Sequence, residues 1–185
     1  MKKLVALTLA ALLAFTLTAA SAATYTAGKF YTLDYPDDLT LDDTSYTDET
    51  TDSYIWLYML YNEDYTIDAA LEPVAGYEGK TLYEMTEDER DAYLDFALED
   101  FADYNAEYVD DVTSTSGFPF LVFTMDEGDG VYYFAETLIN GTSVNLCCYY
   151  NDADTAPDDA LLLMFEQVLI TIRPVEEADG AAKAA

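Results

Sequence analysis

Hydrophobic and polar residues alternate along two stretches of the chain, at 30–35 and at 65–72. Successive side chains of a β-strand point to opposite faces of its sheet, so this alternation predicts strands with one buried face. Pro36 ends the first stretch, because proline cannot donate a hydrogen bond to a neighbouring strand. The expected inward residues of the second stretch are Tyr65, Ile67, Ala69 and Leu71.

The stretch 54–61 is apolar or aromatic at every position, which is typical of a strand that is covered on both faces. It is predicted to be a central strand that forms a hairpin with 65–72. The preceding segment, 37–53, is rich in Asp and offers only Leu39 and Leu41 as an inward pair. A short strand and a loop are expected there.

Two other stretches have apolar residues at three- and four-residue spacing, which predicts helices with one buried stripe. The first is expected from about 86 to 104, since Thr86 and Glu89 form a capping-box pattern. The second opens at Thr155 and ends before Pro174. The stripe of the first helix consists of Leu94, Ala97, Leu98, Phe101 and Tyr104. The stripe of the second consists of Ala160, Leu161, Met164, Phe165, Val168, Leu169 and Ile172.

Four further strands are predicted at 108–113, 118–125, 131–139 and 142–150. Asn140-Gly141 joins the last two, since both residues tolerate the positive φ of a type I′ hairpin turn. A two-residue turn sets the register of the hairpin, so Cys148 faces the apolar side and Cys147 shares the opposite face with Phe134. The two adjacent cysteines are therefore expected to be free. The expected pairs are Ile139 with Thr142, Thr137 with Val144, Ala135 with Leu146 and Tyr133 with Cys148.

The order of elements is strands, helix, strands, helix. This order predicts the α+β class, with an antiparallel β-sheet of about six to eight strands flanked by two main helices. No repeat interrupts residues 30–174, which we interpret as a single domain. Short tails are expected at 23–29 and at 175–185.

The first 22 residues have the pattern of a secretory signal peptide. A basic start at Lys2 and Lys3 is followed by an apolar segment, 4–17, and by Ala20-Ser21-Ala22, the small residues that a signal peptidase accepts. Cleavage after Ala22 would leave 163 of the 185 residues. The residue directly after the cleavage site is Ala23 and not Cys, so a lipoprotein anchor is not expected. The pattern predicts a secreted, extracellular protein.

The chain is strongly acidic, with 37 Asp and Glu residues against seven Lys and Arg. Two of the seven basic residues lie in the leader, so the formal charge after cleavage would be five minus 37, or −32. The chain is also tyrosine-rich, with 17 Tyr, and 51% of its residues are hydrophobic, which indicates a folded domain rather than an acidic disordered chain. The charge argues against binding of nucleic acid or of anionic membranes and wall polymers.

The chain contains no histidine, and this excludes the Ser-His-Asp and Cys-His catalytic triads. His-ligated zinc sites and glycine-rich phosphate loops are also absent from the sequence. We therefore expect no cofactor and no catalytic residue, and the chain is interpreted as a non-enzyme. The alternative is a carboxylate-dependent glycan hydrolase, which needs only two acidic side chains at a suitable separation.

Acidic clusters at 37–43, 126–130 and 151–159 have the composition of calcium ligands. None has the spacing of an EF-hand loop, and ordinary turn and helix-cap chemistry accounts for all three. We therefore expect no metal site.

Aromatic residues are the remaining candidates for binding. Tyr132 and Tyr149 are expected to pair directly on the face opposite Cys148, where their rings could form a small platform. The expected ligand is neutral or basic, namely a protein, a peptide or a neutral glycan. If a helix covered this face, the two tyrosines could not serve as a binding site.

Residues 30–174 resemble the PsbP-like family, which includes many exported bacterial proteins. The resemblance rests on Phe30–Pro36, on Gly117-Phe118-Pro119, on the strand Val144–Tyr150 and on the closing Thr171-Ile172-Arg173. It implies an α/β/α sandwich, in which an antiparallel sheet lies between helices, and a role in binding rather than a shared chemistry. It points to an exported bacterial binding or accessory protein, and a cystatin-like α+β protein is the alternative fold.

Overall fold

The computed structural model describes residues 22–28, 30–48, 53–126, 128 and 130–175. The leader and the C-terminal tail expected from the sequence lie outside these residues, except for Ala22 and Val175. The described part contains the helices α1 (Glu87–Asp100) and α2 (Asp159–Leu169). Its strands are β1 (Ala22–Ala27), β2 (Tyr31–Pro36), β3 (Thr40–Asp43), β4 (Tyr46–Asp48), β5 (Ser53–Tyr61), β6 (Tyr65–Pro73), β7 (Glu107–Thr113), β8 (Pro119–Asp126), β9 (Val131–Ile139), β10 (Thr142–Tyr150) and β11 (Arg173–Pro174).

The main sheet has the strand order β3-β5-β6-β10-β9-β8-β7, and the short strand β4 also pairs with β5. A second sheet has the order β1-β2-β11. All strand pairs given for the described residues are antiparallel. The α+β class, with a mostly antiparallel sheet and two main helices, is therefore confirmed.

Two hydrophobic cores lie on the opposite faces of the main sheet. The larger core lies between the sheet, α2 and the small sheet, and it contains Phe165, Tyr31 and Tyr58. The other lies between the sheet and α1, and it contains Tyr93 and Phe123. Each helix buries its apolar stripe, and the acidic residues of α1 from Glu87 to Glu99 are exposed to solvent.

The hairpin β9-β10 has the predicted register. Asn140 and Gly141 form its turn with φ of 51° and 76°, and the pairs run from Ile139–Thr142 to Tyr133–Cys148. Cys148 is fully buried in the larger core, whereas Cys147 is half-buried on the other face, and the two do not form a disulfide. The alternation of side chains along β10 is thus confirmed.

The prediction that the strand 54–61, which is β5 in the structure, is central in the sheet is wrong. β5 lies next to the edge, between β6 and the short strands β3 and β4, while β10 occupies the middle of the sheet. Tyr58 and Leu60 of β5 are buried, but Leu57 and Met59 on its other face are only half-buried. The run of apolar residues reflects one buried face and one partly covered face.

The segment expected as an N-terminal tail contains a strand instead. β1 pairs with β2 along its whole length, from Ala22–Pro36 to Ala27–Tyr31, and Tyr25 and Ala27 enter the larger core. The local sequence is short and rich in Thr and Ala, so its apolar pattern is weak. Its strand state depends on the partner β2.

Both helices are shorter than predicted. α1 begins as expected after Thr86, with a complete capping box to Glu89, but it ends at Asp100, and a tight turn leads to Asn105 at φ 47°. Tyr104, expected in the buried stripe, is 41% exposed. α2 begins only after Asp158, whose carboxylate accepts the N–H groups of residues 160 and 161. Ile172 is buried beyond the end of α2, in the connection to β11.

Buried tyrosines make the fold sensitive to alkaline pH. Tyr31 and Tyr58 share a hydrogen bond of 2.7 Å between their hydroxyl groups, and burial raises the pKa of both. A raised pKa means that the folded state keeps protons which the unfolded state releases above about pH 10, so this stability is fully present below pH 10 and is lost above it. We expect each such tyrosine to remove about 1.4 kcal/mol of unfolding free energy per pH unit in that range.

Denaturant unfolding from neutral to strongly alkaline pH, with tyrosinate absorbance as a second readout, measures this loss. The Tyr31→Phe/Tyr58→Phe variant should lose stability less steeply above pH 10. Ionisation of all 17 tyrosines near pH 10 with the fold intact would contradict the prediction.

Candidate functional site

A cleft of about 450 Å³ opens on the same face of the main sheet as α1. Its floor comes from β6 and β10, and its walls come from the start of β9 and from the loop after β10. We call it the tyrosine cleft. Among its lining residues are Asp68, Val131, Tyr132, Cys147, Tyr149 and Asn151.

The two tyrosines singled out from the sequence both line this cleft. The β9-β10 ladder ends at Tyr133–Cys148, so Tyr132 and Tyr149 lie one step beyond the last pair. Both side chains are half-buried. α1 covers part of this face and Tyr132 packs against the core beneath it, but both tyrosines line the cleft, so the helix does not cover them completely. They therefore form part of a concave site rather than the open platform expected from their register.

Asp68 connects the floor of the cleft to Tyr149. It pairs with Cys147 across the β6-β10 ladder, and Tyr149 pairs with Thr66, two residues before Asp68. This diagonal arrangement lets the Tyr149 hydroxyl donate a hydrogen bond of 2.6 Å to Oδ2 of Asp68. The other carboxylate oxygen, Oδ1, is buried and has no hydrogen-bond partner within the described residues.

The Tyr149 hydroxyl stays protonated over the physiological pH range. Burial, together with the hydrogen bond to Asp68 and its negative charge, raises the pKa of Tyr149 above its ordinary value. A protonated phenol donates to the carboxylate and keeps its orientation. The ring of Tyr149 is thereby held at the side of the cleft.

Asn151 anchors the loop that forms the outer wall. Its side-chain carbonyl accepts a hydrogen bond of 2.7 Å from Thr66, and its amide group donates one of 2.8 Å to the backbone carbonyl of Asn62. Its backbone N–H donates to the carbonyl of Asp64 at 2.9 Å. The wall is therefore tied to the β5-β6 turn and does not depend on β10 alone.

Sequence reasoning missed Asp68 and Asn151 as members of the site. The alternation along 65–72 identifies Asp68 only as an outward residue of its strand. It does not show that β6 pairs with β10, because the two segments are about 80 residues apart in the sequence. The available signal was the alternation itself, which places Asp68 and Cys147 on faces opposite Ile67 and Cys148. Without knowledge of the strand order, these faces could not be identified as one.

The described basic residues do not neutralise the cleft. Lys80 forms an ion pair with Glu89 at 3.1 Å, and Arg173 forms one with Asp34 at 2.8 Å. Neither they nor Arg90 line the cleft. Asp68 is the only carboxylate among the described lining residues, so the charge of the site is negative.

No group of three or more Cys, Asp and Glu side chains that could hold a metal ion occurs in the described part of the chain. The acidic cluster at 126–130 lies partly outside this part. Residues of the third cluster serve local structure, since Asp152 accepts from Thr155 and Asp158 caps α2.

None of the described helices is long and apolar enough to cross a membrane. No protein-family model matches the chain, and no curated protein matches it either.

Proposed function

We propose that this chain is an exported, non-catalytic binding protein that holds a neutral or basic ligand in the tyrosine cleft. The observation that carries the proposal is the convergence of Tyr132, Tyr149, Asp68 and Asn151 on one cleft. Binding sites are typically concave, with aromatic walls and a few placed polar groups. Rigid tyrosine rings supply contact area at a low cost in conformational entropy.

The charge of the protein supports a ligand that is not anionic. The formal net charge of the chain is −30, and the cleft contributes a carboxylate without a cation among its described lining residues. A negative potential repels polyanions and attracts basic groups, most strongly at low ionic strength. Nucleic acids, teichoic acids and anionic bilayers are therefore expected to bind negligibly.

A glycan hydrolase is the alternative, and it needs a pair of carboxyl groups on either side of the scissile bond. Asp68 is the only carboxylate among the described residues that line the cleft.

Export and family membership are parts of the same proposal. Export rests on the leader pattern of residues 1–22. Membership of the PsbP-like family, with its α/β/α sandwich, rests on the four sequence cues between residues 30 and 173, and a cystatin-like protein remains the alternative. Secretion of the full-length chain by a bacterial host, with N-terminal sequencing of the released product, tests the leader and the cleavage after Ala22.

Replacing both Tyr132 and Tyr149 by alanine is expected to weaken ligand binding at least tenfold, because two aromatic walls are removed from the cleft. Isothermal titration against neutral wall glycan, basic peptides and teichoic acid, at low and moderate salt, measures the effect. The matched control is Tyr46→Ala/Tyr83→Ala, since these side chains are each 52% exposed and do not line the cleft.

Equal affinities for the cleft variant and the control variant would overturn the role of the two tyrosines. Tight, salt-sensitive binding of teichoic acid would contradict the electrostatic argument. Release of reducing sugar ends from the glycan would favour the hydrolase instead.

A further inference from the structure

The tyrosine cleft contains an anionic oxygen whose hydrogen-bonding capacity is unused. Oδ1 of Asp68 is buried without a hydrogen-bond partner in the described part of the chain, while Oδ2 accepts from Tyr149 at 2.6 Å. A buried carboxylate oxygen that has lost its water and gained no donor is costly to the folded state. A bound ligand that donated a hydrogen bond to Oδ1 of Asp68 would therefore remove this cost.

The residue that carries this oxygen reaches the cleft, although Oδ1 itself is covered in the structure without a ligand. Asp68 lines the cleft together with Tyr132, Cys147 and Tyr149, and the cleft has room for a small ligand or a peptide side chain. None of the described basic residues lines it. A positively charged donor would have to come from outside the described fold.

We propose that the tyrosine cleft binds a primary ammonium group carried on an alkyl chain, with Asp68 as its anionic partner. This inference rests on the proposed function and names the class of ligand. In the bound state a local movement uncovers Oδ1 of Asp68, and the ammonium group donates to it. Tyr132 and Tyr149 contribute aromatic surface to the same cleft, and the alkyl chain lies against its apolar side chains. The same chemistry is offered by a free polyamine and by a lysine side chain of a peptide.

The hydrogen bond from Tyr149 favours one of the two common organic cations over the other. A guanidinium group binds a carboxylate best through two parallel hydrogen bonds, one to each oxygen. Oδ2 of Asp68 already accepts one hydrogen bond from the Tyr149 hydroxyl, so it is a weaker second acceptor for a guanidinium group than Oδ1, which accepts none from the described residues. An ammonium group acts as a point charge and needs only that one oxygen.

The test uses matched pairs of probes, titrated into the secreted protein at low salt. Pentylamine is compared with pentanol, and a lysine-containing tripeptide with the same peptide acetylated at the lysine Nζ. Cadaverine represents free polyamines, and an arginine peptide replaces the lysine peptide as a further comparison. We expect both amines to bind at least about tenfold more tightly than their uncharged partners, as for a charge-assisted hydrogen bond.

Asp68→Asn is the decisive variant, and Asp95→Asn is its control, because Asp95 is exposed on α1 and the change in net charge is the same. Asp68→Asn should abolish the preference for amines, and Asp95→Asn should change it less than twofold. Stronger binding of cadaverine than of the lysine peptide would identify a free polyamine as the source, and the reverse order a peptide. Equal amine binding by the two variants, or no preference for amines in the unmodified protein, would overturn the inference.

Thermal unfolding without ligand separates this role from a structural one. An asparagine keeps an acceptor for Tyr149 and removes the unpartnered charge, so Asp68→Asn should melt at the same temperature as the unmodified protein or higher. A lowered melting temperature would show that Asp68 serves the fold, and the inference would fail. If neutral glycan still bound in a manner that depended on Tyr132 and Tyr149, the proposed function would stand without it. If the amine probes and the glycan bound equally well to the unmodified protein and to the variant that lacks Tyr132 and Tyr149, the inference and the proposed function would both fail.

Discussion

Gly141→Ala is expected to lower the free energy of unfolding by about 2–5 kcal/mol, which is a large share of the stability of a typical domain. Gly141 has φ of 76°, where a residue with a Cβ atom is strained. A Cβ atom added there would lie 2.8 Å from the backbone oxygen of Tyr77 and 2.9 Å from the backbone of Glu78 and of Gly79. Backbone atoms cannot rotate away, so the whole covering segment would have to move.

The covering segment is held by hydrogen bonds to the same residue. The N–H of Gly141 donates to the carbonyl of Lys80 at 2.7 Å, and the carbonyl of Gly141 accepts from the N–H of Val74 at 2.9 Å. A displaced segment would therefore lose these bonds as well as its packing on the hairpin tip. Chemical denaturation of the variant measures the total loss.

Gly117→Ala is the matched control, because Gly117 has φ of 90° and no atom within 4 Å of its added Cβ. Only the backbone strain applies there, and we expect a loss of about 1–2 kcal/mol. Equal losses at the two glycines would show that the close approach of residues 77–79 does not contribute.

Tyr93→Ala is expected to cost about 3–5 kcal/mol, as for other fully buried aromatic residues. Its side chain is fully buried in the core between α1 and the sheet, and its ring contacts Tyr77 and Phe96. Its hydroxyl donates a hydrogen bond to Glu136, a carboxyl group that is only 4% exposed. The substitution therefore removes both the packing and a polar link between α1 and β9.

Two further variants separate these contributions. Tyr93→Phe keeps the ring and removes the hydroxyl, and we expect it to cost about 1–2 kcal/mol. Glu136→Gln keeps an acceptor for Tyr93 and for Ser143, whose hydroxyl donates to Glu136 at 2.8 Å. A double-mutant cycle of the two substitutions should show a coupling energy, since the groups are in contact.

Tyr104→Ala is the control for the packing term, because Tyr104 is 41% exposed. A surface substitution of this kind should change the free energy of unfolding by roughly 0.5 kcal/mol or less. A loss at Tyr104 as large as that at Tyr93 would contradict the assignment of Tyr93, and not Tyr104, to the core under α1.

Tyr93 lies four residues before Ala97 and shares its face of the helix, but the stripe predicted from the sequence begins at Leu94 and leaves Tyr93 out. The polar tip of a tyrosine is compatible with either side of a helix, so the spacing did not establish its burial. The deciding contact is Glu136 on β9, which is 43 residues away in the sequence. An acidic residue in the core is stabilised only by such specific donors.

Local chemistry explains the parts of the fold that the sequence determined. Alternation along β6 and β10, the type I′ turn at Asn140-Gly141 and the capping box of Thr86 and Glu89 each depend on residues close together in the chain. These features were predictable because φ preferences, side-chain period and capping groups act over a few residues. The register of the β9-β10 hairpin followed from them.

Only the tertiary structure decided which of these elements are neighbours. It pairs β6 with β10, which brings Asp68 to Cys147 and Tyr149, and it pairs β1 with β2, although the pattern of 22–27 is weak. It also covers Gly141 with the backbone of residues 77–79, so the glycine serves a close approach as well as a turn. The physical reason is that strand order and the burial of polar groups depend on contacts between distant segments. Tyr132 and Tyr149 could be placed on one face from the sequence. Their cleft, and the Asp68 oxygen that has no hydrogen-bond partner among the described residues, required the assembled sheet.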